Sequence, residues 1–397
     1  MFFLLCVFSI CPMLSWGKTW KLTKTMTATL NKGIFTLKTT KESEAMPDFA
    51  QGSKIPWQSD RAKIISINIE EGIETIGGCA FLNCRRLTSI TLPNSLIEIK
   101  QSAFAGCTDL TSITIPESVT TIGIGAFSNC SSLTSIMLPN SLIEINQSAF
   151  ADCKNLTSIT IPESVTTIGI GAFANCSTLT SITLPNLLTS INDAAFANCS
   201  SLTSICIPNS VIEIKQLAFS GCKNLTSITI PESITTIGMG AFYNCSTLPS
   251  ITLPNSLTTI NNTAFANCSS LTSICIPNSV KEIEKTVFAG CKNLTSITIP
   301  ESVTTFDGTA LMLGADVKLT TDDNGRINVS MSCNTGDFSH RLKDVYVFWE
   351  TPLKVDGFGV FCLFSNKSVI NLHVPSGTEE LYKAHNFWKK FNIVANE

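Results

Sequence analysis

The chain has 397 residues, of which 44% are hydrophobic and only 14% are charged, and this balance excludes a highly charged disordered protein. Its 27 basic and 30 acidic residues give a net charge of -3, so it lacks the basic footprint of a nucleic-acid-binding protein. The three histidines, His340, His373 and His385, leave little material for acid-base or metal chemistry. We therefore expect a globular, non-catalytic protein with no cofactor and no metal site.

The chain begins with an apolar segment, MFFLLCVFSICPMLSWG, that turns polar at Lys18. Small residues, Ser15 and Gly17, follow the apolar run as in a cleavable signal peptide, whereas a membrane-spanning helix needs about 20 apolar residues. The pattern predicts a signal peptide over residues 1–17 and a secreted or cell-surface protein. The mature chain should then have no transmembrane segment.

Residues 18–63 contain two tryptophans, Trp20 and Trp57, and the alternating run KGIFTLKT, which predicts a β-strand. A strongly periodic region follows this segment. Because the first unit of a repeat array leaves its apolar face uncovered, we expect residues 18–63 to form an N-terminal capping module.

From Ile64 to Asn293 the chain divides into ten units of 23 residues, and a half unit continues to about Thr309. One unit reads LTSITIPESVTTIGIGAFANCST. The segment LTSITI alternates and ends at a proline, which predicts a short strand, and VTTI predicts a second extended piece. The apolar positions of the unit should face inward: Leu156, Ile159, Ile161, Val165, Ile168, Ala172, Phe173 and Cys176.

The position that follows VTTI is glycine or asparagine in several units. These residue types tolerate a positive φ, so the pattern predicts a left-handed backbone at Gly123, Gly169, Gly238, Asn146, Asn192 and Asn261. Lys100, Lys215 and Glu284 occupy the same position in other units.

No single unit can bury its apolar face, but stacked units would join these faces into one core. The expected fold over residues 64–309 is a β-rich solenoid, a right-handed superhelix of short parallel strands with short helical turns. The unit resembles the BspA-like class of leucine-rich repeats in its strand pattern, its IP turn and its AFxxC segment. That resemblance implies an exported or surface protein of Bacteroides-type bacteria, active in adhesion and protein binding. The alternative is a glycan-capturing surface protein.

Ten of the 17 cysteines recur at one position of the unit: Cys84, Cys107, Cys130, Cys153, Cys176, Cys199, Cys222, Cys245, Cys268 and Cys291. In-register columns of side chains point the same way and do not readily form disulfides. A linear file of single cysteines cannot provide a tetrahedral metal site, and the repeats contain no histidine to activate a nucleophile. We expect buried, reduced cysteines that act as small hydrophobic residues.

The outward side chains of the LTSITI strands are serine in every copy and mostly threonine in the other column, and we call this surface the strand face. A threonine ladder suggests polysaccharide or ice binding, but threonine is also a good strand former. Within the repeats this face has none of the tryptophan, tyrosine or arginine anchors that dominate protein interfaces.

Charge collects in two other places, which we predict as the partner-binding surface for an extracellular or host protein, or for a glycan. The second-strand flank follows VTTI and consists of Glu98, Lys100, Glu213, Lys215, Lys281, Glu282, Glu284 and Lys285. The post-cysteine edge consists of Arg85, Arg86, Lys154, Lys223 and Lys292. Residues 156–224 and 225–293 are identical at 55 of 69 positions, yet Ile212 and Lys215 become Lys281 and Glu284. Neutral drift of solvated residues would also produce this variation.

Residues 310–397 lose the period. Two alternating runs flank Asn324 and Gly325, the pattern of a β-hairpin. Ser376 and Glu379 have capping-box spacing, and Leu381, Ala384, Trp388 and Phe391 would share one helical face. This region resembles the C-terminal end of exported proteins of the same family, and we predict a C-terminal capping module of a hairpin and a helix.

Overall fold

A computed structural model describes residues 17–49, 54–311, 315–321, 327–333, 343–356 and 370–396. The predicted signal peptide lies outside the described residues except for Gly17, and so does the turn of the predicted hairpin. The described chain is a parallel-strand β-solenoid of about 12 turns with very little helix. No described helix is long and apolar enough to cross a membrane.

The N-terminal segment stacks on the first repeat through backbone pairing. Its elements are β1 (Lys18–Lys21), β2 (Met26–Asn31), β3 (Ile34–Thr39), β4 (Glu44–Ala45) and a 3-10 helix, Gln58–Lys63. Strands β1, β2 and β3 form an antiparallel meander. The next main strand, β5 (Ser66–Ile69), pairs in parallel with β3, so the meander continues directly into the solenoid.

Each coil supplies a main strand from LTSITI and a second strand from VTTI. The further main strands are β7 (Ser89–Thr91), β9 (Ser112–Thr114), β11 (Ser135–Met137), β13 (Ser158–Thr160), β15 (Ser181–Thr183), β17 (Ser204–Cys206), β19 (Ser227–Thr229), β22 (Ser273–Cys275) and β24 (Ser296–Ile299). The second strands are β6 (Ile73–Ile76), β8 (Glu98–Ile99), β10 (Thr121–Ile122), β12 (Glu144–Ile145), β14 (Thr167–Ile168), β16 (Ser190–Ile191), β18 (Glu213–Ile214), β20 (Thr236–Ile237), β21 (Thr259–Ile260), β23 (Glu282–Ile283) and β25 (Thr305–Asp307). Paired strands are parallel and align residues 23 positions apart, as Ile113 with Ile136.

One repeat departs from this pattern. Residues 250–253 form no strand, although the corresponding residues of the neighbouring units form β19 and β22. In this unit Pro249 replaces the threonine that elsewhere donates its amide to the preceding coil, as Thr226 does to the Thr203 carbonyl at 2.9 Å. Proline has no amide hydrogen, so the ladder is interrupted here.

The AFxxC segment forms the third side of each coil. Alternate backbone amides of this segment donate to the carbonyl three residues earlier, as in a 3-10 turn. The amides between them donate to carbonyls of the next coil. Cys130 donates its amide to the Phe127 carbonyl at 3.2 Å, whereas Phe127 donates to Ala149 at 2.9 Å. Short helical turns are therefore tied to the adjacent coil by hydrogen bonds.

The predicted left-handed position is wrong: Gly123, Gly169 and Gly238 do not have positive φ, and neither do Asn146, Asn192 and Asn261. Glycine is used here for close approach, since a Cβ at Gly169 would lie 2.5 Å from the Gln147 amide nitrogen of the preceding coil. Asparagine serves in another way, because the Asn192 amide group donates to the Ile168 carbonyl at 2.7 Å. The positive φ values fall two and six residues later, as at Gly171 and Asn175.

The core contains the inward columns that the repeat predicts, although some copies of the two main-strand isoleucine columns, such as Ile228 and Ile230, are only partly buried. The eight apolar positions from Leu156 to Cys176 are all buried. Phe81 and its nine equivalents to Phe288 form a continuous stack with ring centroids 5.4–5.9 Å apart and planes within 11° of parallel. Nine of the ten periodic thiols, from Cys107 to Cys291, donate to the phenylalanine carbonyl of the preceding coil, as Cys176 does to Phe150 at 3.2 Å.

Aromatic residues cover the N-terminal end of the core. Trp57 stacks on Phe81 at 5.8 Å and donates its indole N–H to the Ala80 carbonyl at 2.9 Å. Trp20 and Phe35 pack against Trp57. Because large rings replace the missing preceding coil, the first phenylalanine of the stack is buried.

The solenoid continues into the non-periodic C-terminal region. Its elements are a 3-10 helix Gly308–Leu311, β26 (Ala315–Thr321), β27 (Ile327–Cys333), β28 (Asp344–Val347), β29 (Val355–Asp356), β30 (Asn371–Val374), α1 (Glu379–Ala384), a 3-10 helix Trp388–Lys390, and β31 (Asn392–Ala395). Antiparallel β26 and β27 confirm the predicted hairpin. Strands β28, β30 and β31 extend the sheet of β24 in parallel, so non-repeat sequence builds further main strands.

The predicted helix after Ser376 is wrong in its details. Helix α1 has Thr378 as its N-cap residue and no side-chain capping bond, so Ser376 and Glu379 form no capping box. The predicted apolar face also fails, because α1 ends at Ala384 and Leu381 is 52% exposed. Tyr382 and Trp388 are buried instead, and the Tyr382 hydroxyl donates to the Trp349 carbonyl at 2.7 Å.

Candidate functional site

The structure spreads the second-strand flank along the solenoid rather than gathering it into one site. Glu98 and Glu213 occupy the same position of strands five coils apart, and Glu282 lies three coils further along. At about 4.8 Å per strand these intervals are about 24 and 14 Å. The flank therefore consists of three separate charged groups.

Several members of this flank are already bonded within the protein. The Lys100 ammonium lies 3.0 Å from Asp48 Oδ2 of the N-terminal segment. The Lys215 ammonium donates to Asn192 Oδ1 at 3.0 Å, and Glu284 Oε2 accepts the Asn262 amide at 2.8 Å. These side chains help to hold neighbouring segments together, which reduces their availability to a partner.

Two open grooves border the ends of the flank. The N-terminal groove, of about 620 Å³, is lined by Glu98 and Lys100 together with Phe49 and Cys79. The C-terminal groove, of about 460 Å³, brings Glu282, Glu284 and Lys285 together with Asp307 and Leu353. Only the C-terminal groove collects three of the predicted charged residues around one space.

The post-cysteine edge is a more regular surface. Arg85, Lys154, Lys223 and Lys292 occupy one position of the repeat at intervals of 69 residues, and all four side chains are exposed. Arg86 is exposed beside Arg85. Among the described residues, no ion pair or hydrogen bond engages the ammonium group of Lys154 or Lys223. This edge therefore presents cationic groups to solvent.

A polar groove of about 420 Å³ runs between two of these lysines. Lys154 and Lys223 lie at its ends, and Asn175, Ser177, Asn198 and Ser200 line it between them, with Asp152 and Gly221. The Asn198 amide group donates to Asn175 Oδ1 at 3.0 Å. The Ser177 and Ser200 hydroxyls donate to carbonyls of the preceding coil at 3.4 and 3.2 Å. Both serine oxygens keep lone pairs that can accept further hydrogen bonds.

Sequence reasoning missed a third group, which we call the terminal face cluster: Asp344, Tyr346, Asn371 and His373. The strand register places Tyr346 beside Thr298 and His373 beside Tyr346, so these side chains continue the strand face. The two rings stack with centroids 4.2 Å apart. Asp344 Oδ1 lies 2.9 Å from His373 Nε2 and accepts the Asn371 amide group at 3.1 Å. The end of the strand face therefore carries the large side chains that its repeats lack.

The hydrogen bond from His373, with a smaller contribution from Asn371, lowers the pKa of Asp344 and keeps the carboxylate ionised.

The amino-acid sequence gives only a weak indication of the terminal face cluster. Residues 344 and 371 are separated by a stretch without any period, so only the alternation in DVYV and NLHV could have suggested parallel neighbours.

The periodic cysteines carry no reactive chemistry in the folded chain. Burial raises the pKa of Cys130, Cys176 and Cys268 to about 12, and the other buried members shift in the same direction. All ten are free thiols. No group of three or more metal-ligating side chains occurs in the part of the chain that the structure describes.

These features define a solenoid of the leucine-rich-repeat class with polar, open surfaces. The BspA type leucine-rich repeat region matches the chain in six copies, over residues 59–180, 143–237 and 189–313. These matches cover more than half of the sequence, and the chain belongs to this family.

The chain is similar to several solved structures, and the first of those described next shows the same fold. The pneumococcal vaccine antigen PcpA is 17% identical, with a TM-score of 0.51 over 95% of this chain and 98% of that chain. A leucine-rich repeat protein from Bacteroides ovatus is 25% identical, with a TM-score of 0.46 over 85% and 99% of the two chains. A leucine rich cell surface protein from Faecalibacterium prausnitzii is 28% identical, with a TM-score of 0.46 over 75% and 92%. No curated protein matches the sequence.

Proposed function

We propose that this is a non-catalytic, secreted or cell-surface protein that adheres to a host or neighbouring-cell protein through its solenoid. The N-terminal apolar segment, proposed as a signal peptide over residues 1–17, would export it. Residues 18–63 and 310–397 would serve as capping modules around the repeats at 64–309. Membership of a family with surface-type relatives supports this role, since a relative is named a cell surface protein.

The observation that carries the proposal is the terminal face cluster at the end of a long strand face. Protein interfaces draw most of their binding energy from a few large side chains, surrounded by contacts of small effect. Tyr346 and His373 can act as such an anchor, and the serine and threonine columns provide a smooth extended surface beside it. The exposed arginines of the post-cysteine edge would add charged contacts.

Binding of the mature chain to a panel of immobilised extracellular-matrix proteins tests this function. We expect saturable binding that survives glycosidase treatment of the matrix protein. Tyr346→Ala should weaken it by about tenfold or more, the scale of an interface hot spot, whereas the exposed Thr160→Ala should have little effect. Loss of binding after glycosidase treatment, or equal effects of the two variants, would contradict the proposal.

A second candidate function is capture of a glycan, and the polar groove between Lys154 and Lys223 favours it. Amide groups and hydroxyls supply both donors and acceptors for sugar hydroxyls along the groove. A glycan array separates the two functions, because a protein-specific adhesin should bind none of the printed glycans.

A further inference from the structure

The groove on the post-cysteine edge has a charge pattern that selects among glycans. The turns that form this edge carry five basic residues, Arg85, Arg86, Lys154, Lys223 and Lys292, and two acidic ones, Asp109 and Asp152. The whole chain has a net charge of -3, so the excess of positive charge is local to this edge. An anionic ligand would be favoured here over a neutral one.

The spacing of the charge is also regular. Adjacent strands lie about 4.8 Å apart and neighbouring phenylalanine rings 5.4–5.9 Å apart, so three coils separate successive basic residues by about 14–17 Å. The two coils between them contribute only uncharged asparagine and serine to the groove. A ligand that fits this surface has anionic groups at regular intervals along an extended, hydroxyl-rich chain.

The residue types that line the groove recur because the sequence block is duplicated. Between Lys223 and Lys292 the same residue types appear at Asn244, Ser246, Asn267 and Ser269. The two segments share Lys223 and differ at one end, since Asp152 of the first corresponds to Gly221 of the second. A regular polymer could occupy both segments in one register, whereas the acidic side chains of a folded protein without internal repeats do not recur at a fixed translation.

We propose that the post-cysteine edge binds an acidic polysaccharide along the solenoid axis, with Lys154, Lys223 and Lys292 contacting its anionic groups and the asparagine and serine side chains contacting its hydroxyls. This proposal rests on glycan capture, the second candidate function. It adds the charge class of the ligand, its orientation and the residues that hold it.

Affinity for a repeating ligand should depend on its length. An oligosaccharide that spans one lysine makes one charged contact, and one longer than about 17 Å reaches two lysines within a single chain. Once the first contact forms, the second forms within the same complex at a high effective concentration. The dissociation constant of the longer oligosaccharide should therefore be lower by about tenfold or more.

The experiment uses the mature chain and size-fractionated polygalacturonate oligomers, with neutral dextran oligomers of equal length as the comparison. We expect binding of the long acidic oligomers that weakens with salt, and no binding of dextran. Lys223→Glu should reduce affinity by about tenfold or more, because this lysine belongs to both segments. Lys24→Glu, an exposed change of the same charge in the N-terminal segment and outside both predicted surfaces, should leave it unaltered.

A gain-of-function variant provides a readout that misfolding cannot mimic. Asp152→Asn removes the one acidic side chain of the groove and retains a residue type suited to its positive φ of 61°. We expect it to raise affinity severalfold. Binding of dextran as tightly as polygalacturonate, or no response to Lys223→Glu and Asp152→Asn, would overturn the proposal and leave glycan capture standing. Absence of binding to any glycan would reject both the acidic-polysaccharide proposal and glycan capture. It would not bear on the proposed adhesion to a protein.

Discussion

At the residue scale, the periodic cysteines differ sharply from the two exposed ones. Cys176 is fully buried with its pKa raised to about 12, whereas Cys206 and Cys275 are exposed on the strand face. At pH 8 a thiol with this pKa is ionised to about one part in ten thousand, and the thiolate is the reactive form. We expect alkylation without denaturant to modify Cys206 and Cys275 and to spare the ten periodic residues. Peptide mass spectrometry would contradict this if it found the periodic thiols labelled or joined in disulfides.

A second residue-scale prediction concerns the left-handed positions. Asn175 has a φ of 62°, which costs an alanine about 1–2 kcal/mol and a glycine almost nothing. Both Asn175→Ala and Asn175→Gly remove the bond to Asn198, so comparing them isolates the backbone effect. We expect the alanine variant to unfold at lower denaturant concentration than the glycine variant. Equal midpoints would show that the backbone conformation at this position carries no cost.

At the scale of the element, the phenylalanine stack packs each coil against its neighbours. Phe173 lies 5.5 and 5.7 Å from its neighbours in the stack and has no exposed surface. Phe173→Ala should cost about 3–5 kcal/mol, because it removes buried apolar surface and leaves a cavity. The damage should be confined to adjacent coils, and hydrogen exchange should rise around residues 150–196. Thr160→Ala, on the exposed strand face, is the control, and wild-type exchange in Phe173→Ala would refute the stacking register.

The N-terminal module should be sensitive to acid. Hydrogen bonds from Lys18 and then Lys63 lower the pKa of the buried Asp60 carboxyl below its usual 3.8. A depressed folded-state pKa contributes stability above the unfolded pKa, and this contribution is lost as pH falls through the folded value. Asp60→Asn should therefore destabilise the module at pH 7, by about 1–3 kcal/mol, and the difference should shrink as the pH falls below 3.8.

Trp57 fluorescence reports this module, because Trp57 packs within it. The expected result is a gap between wild type and Asp60→Asn in denaturant midpoint that closes on acidification. A gap independent of pH would mean that packing, and not the carboxylate charge, accounts for the effect.

The whole molecule shows how far a repeat carries sequence-based prediction. The ten copies allow the inward positions to be predicted, because each apolar position from Leu156 to Cys176 recurs in one unit after another of the same chain. The period alone did not locate the positive φ values. A glycine such as Gly169 can be required either by a positive φ or by close approach of a neighbouring backbone, and the sequence does not distinguish these two causes. The terminal face cluster was missed because Asp344 and Asn371 become neighbours only through a non-periodic connection. The domain boundaries and the partner surface stay predictions.

A block deletion tests the solenoid as a whole. Removing residues 156–224 joins Asn155 to Leu225 and recreates the natural junction between Asn224 and Leu225. We expect a folded protein whose maximum dimension, from small-angle X-ray scattering, is shorter by about 14–17 Å, the length of three coils. The melting temperature should change little, since each coil contacts only its neighbours. An aggregated or expanded product would show that this block supplies contacts beyond those of its adjacent coils.

The pairing of each coil with its two neighbours also determines how the protein responds to mechanical load. A pull along the solenoid axis separates coils one after another, and a released coil of 23 residues extends to about 75 Å from a stacked thickness of about 5 Å. Tension would thus lengthen the chain in uniform steps, with intact coils beside each opened one. In the proposed adhesive role, a cell held by this protein in flowing liquid would move away from its anchorage by many times the folded length while coils further along the array stay folded.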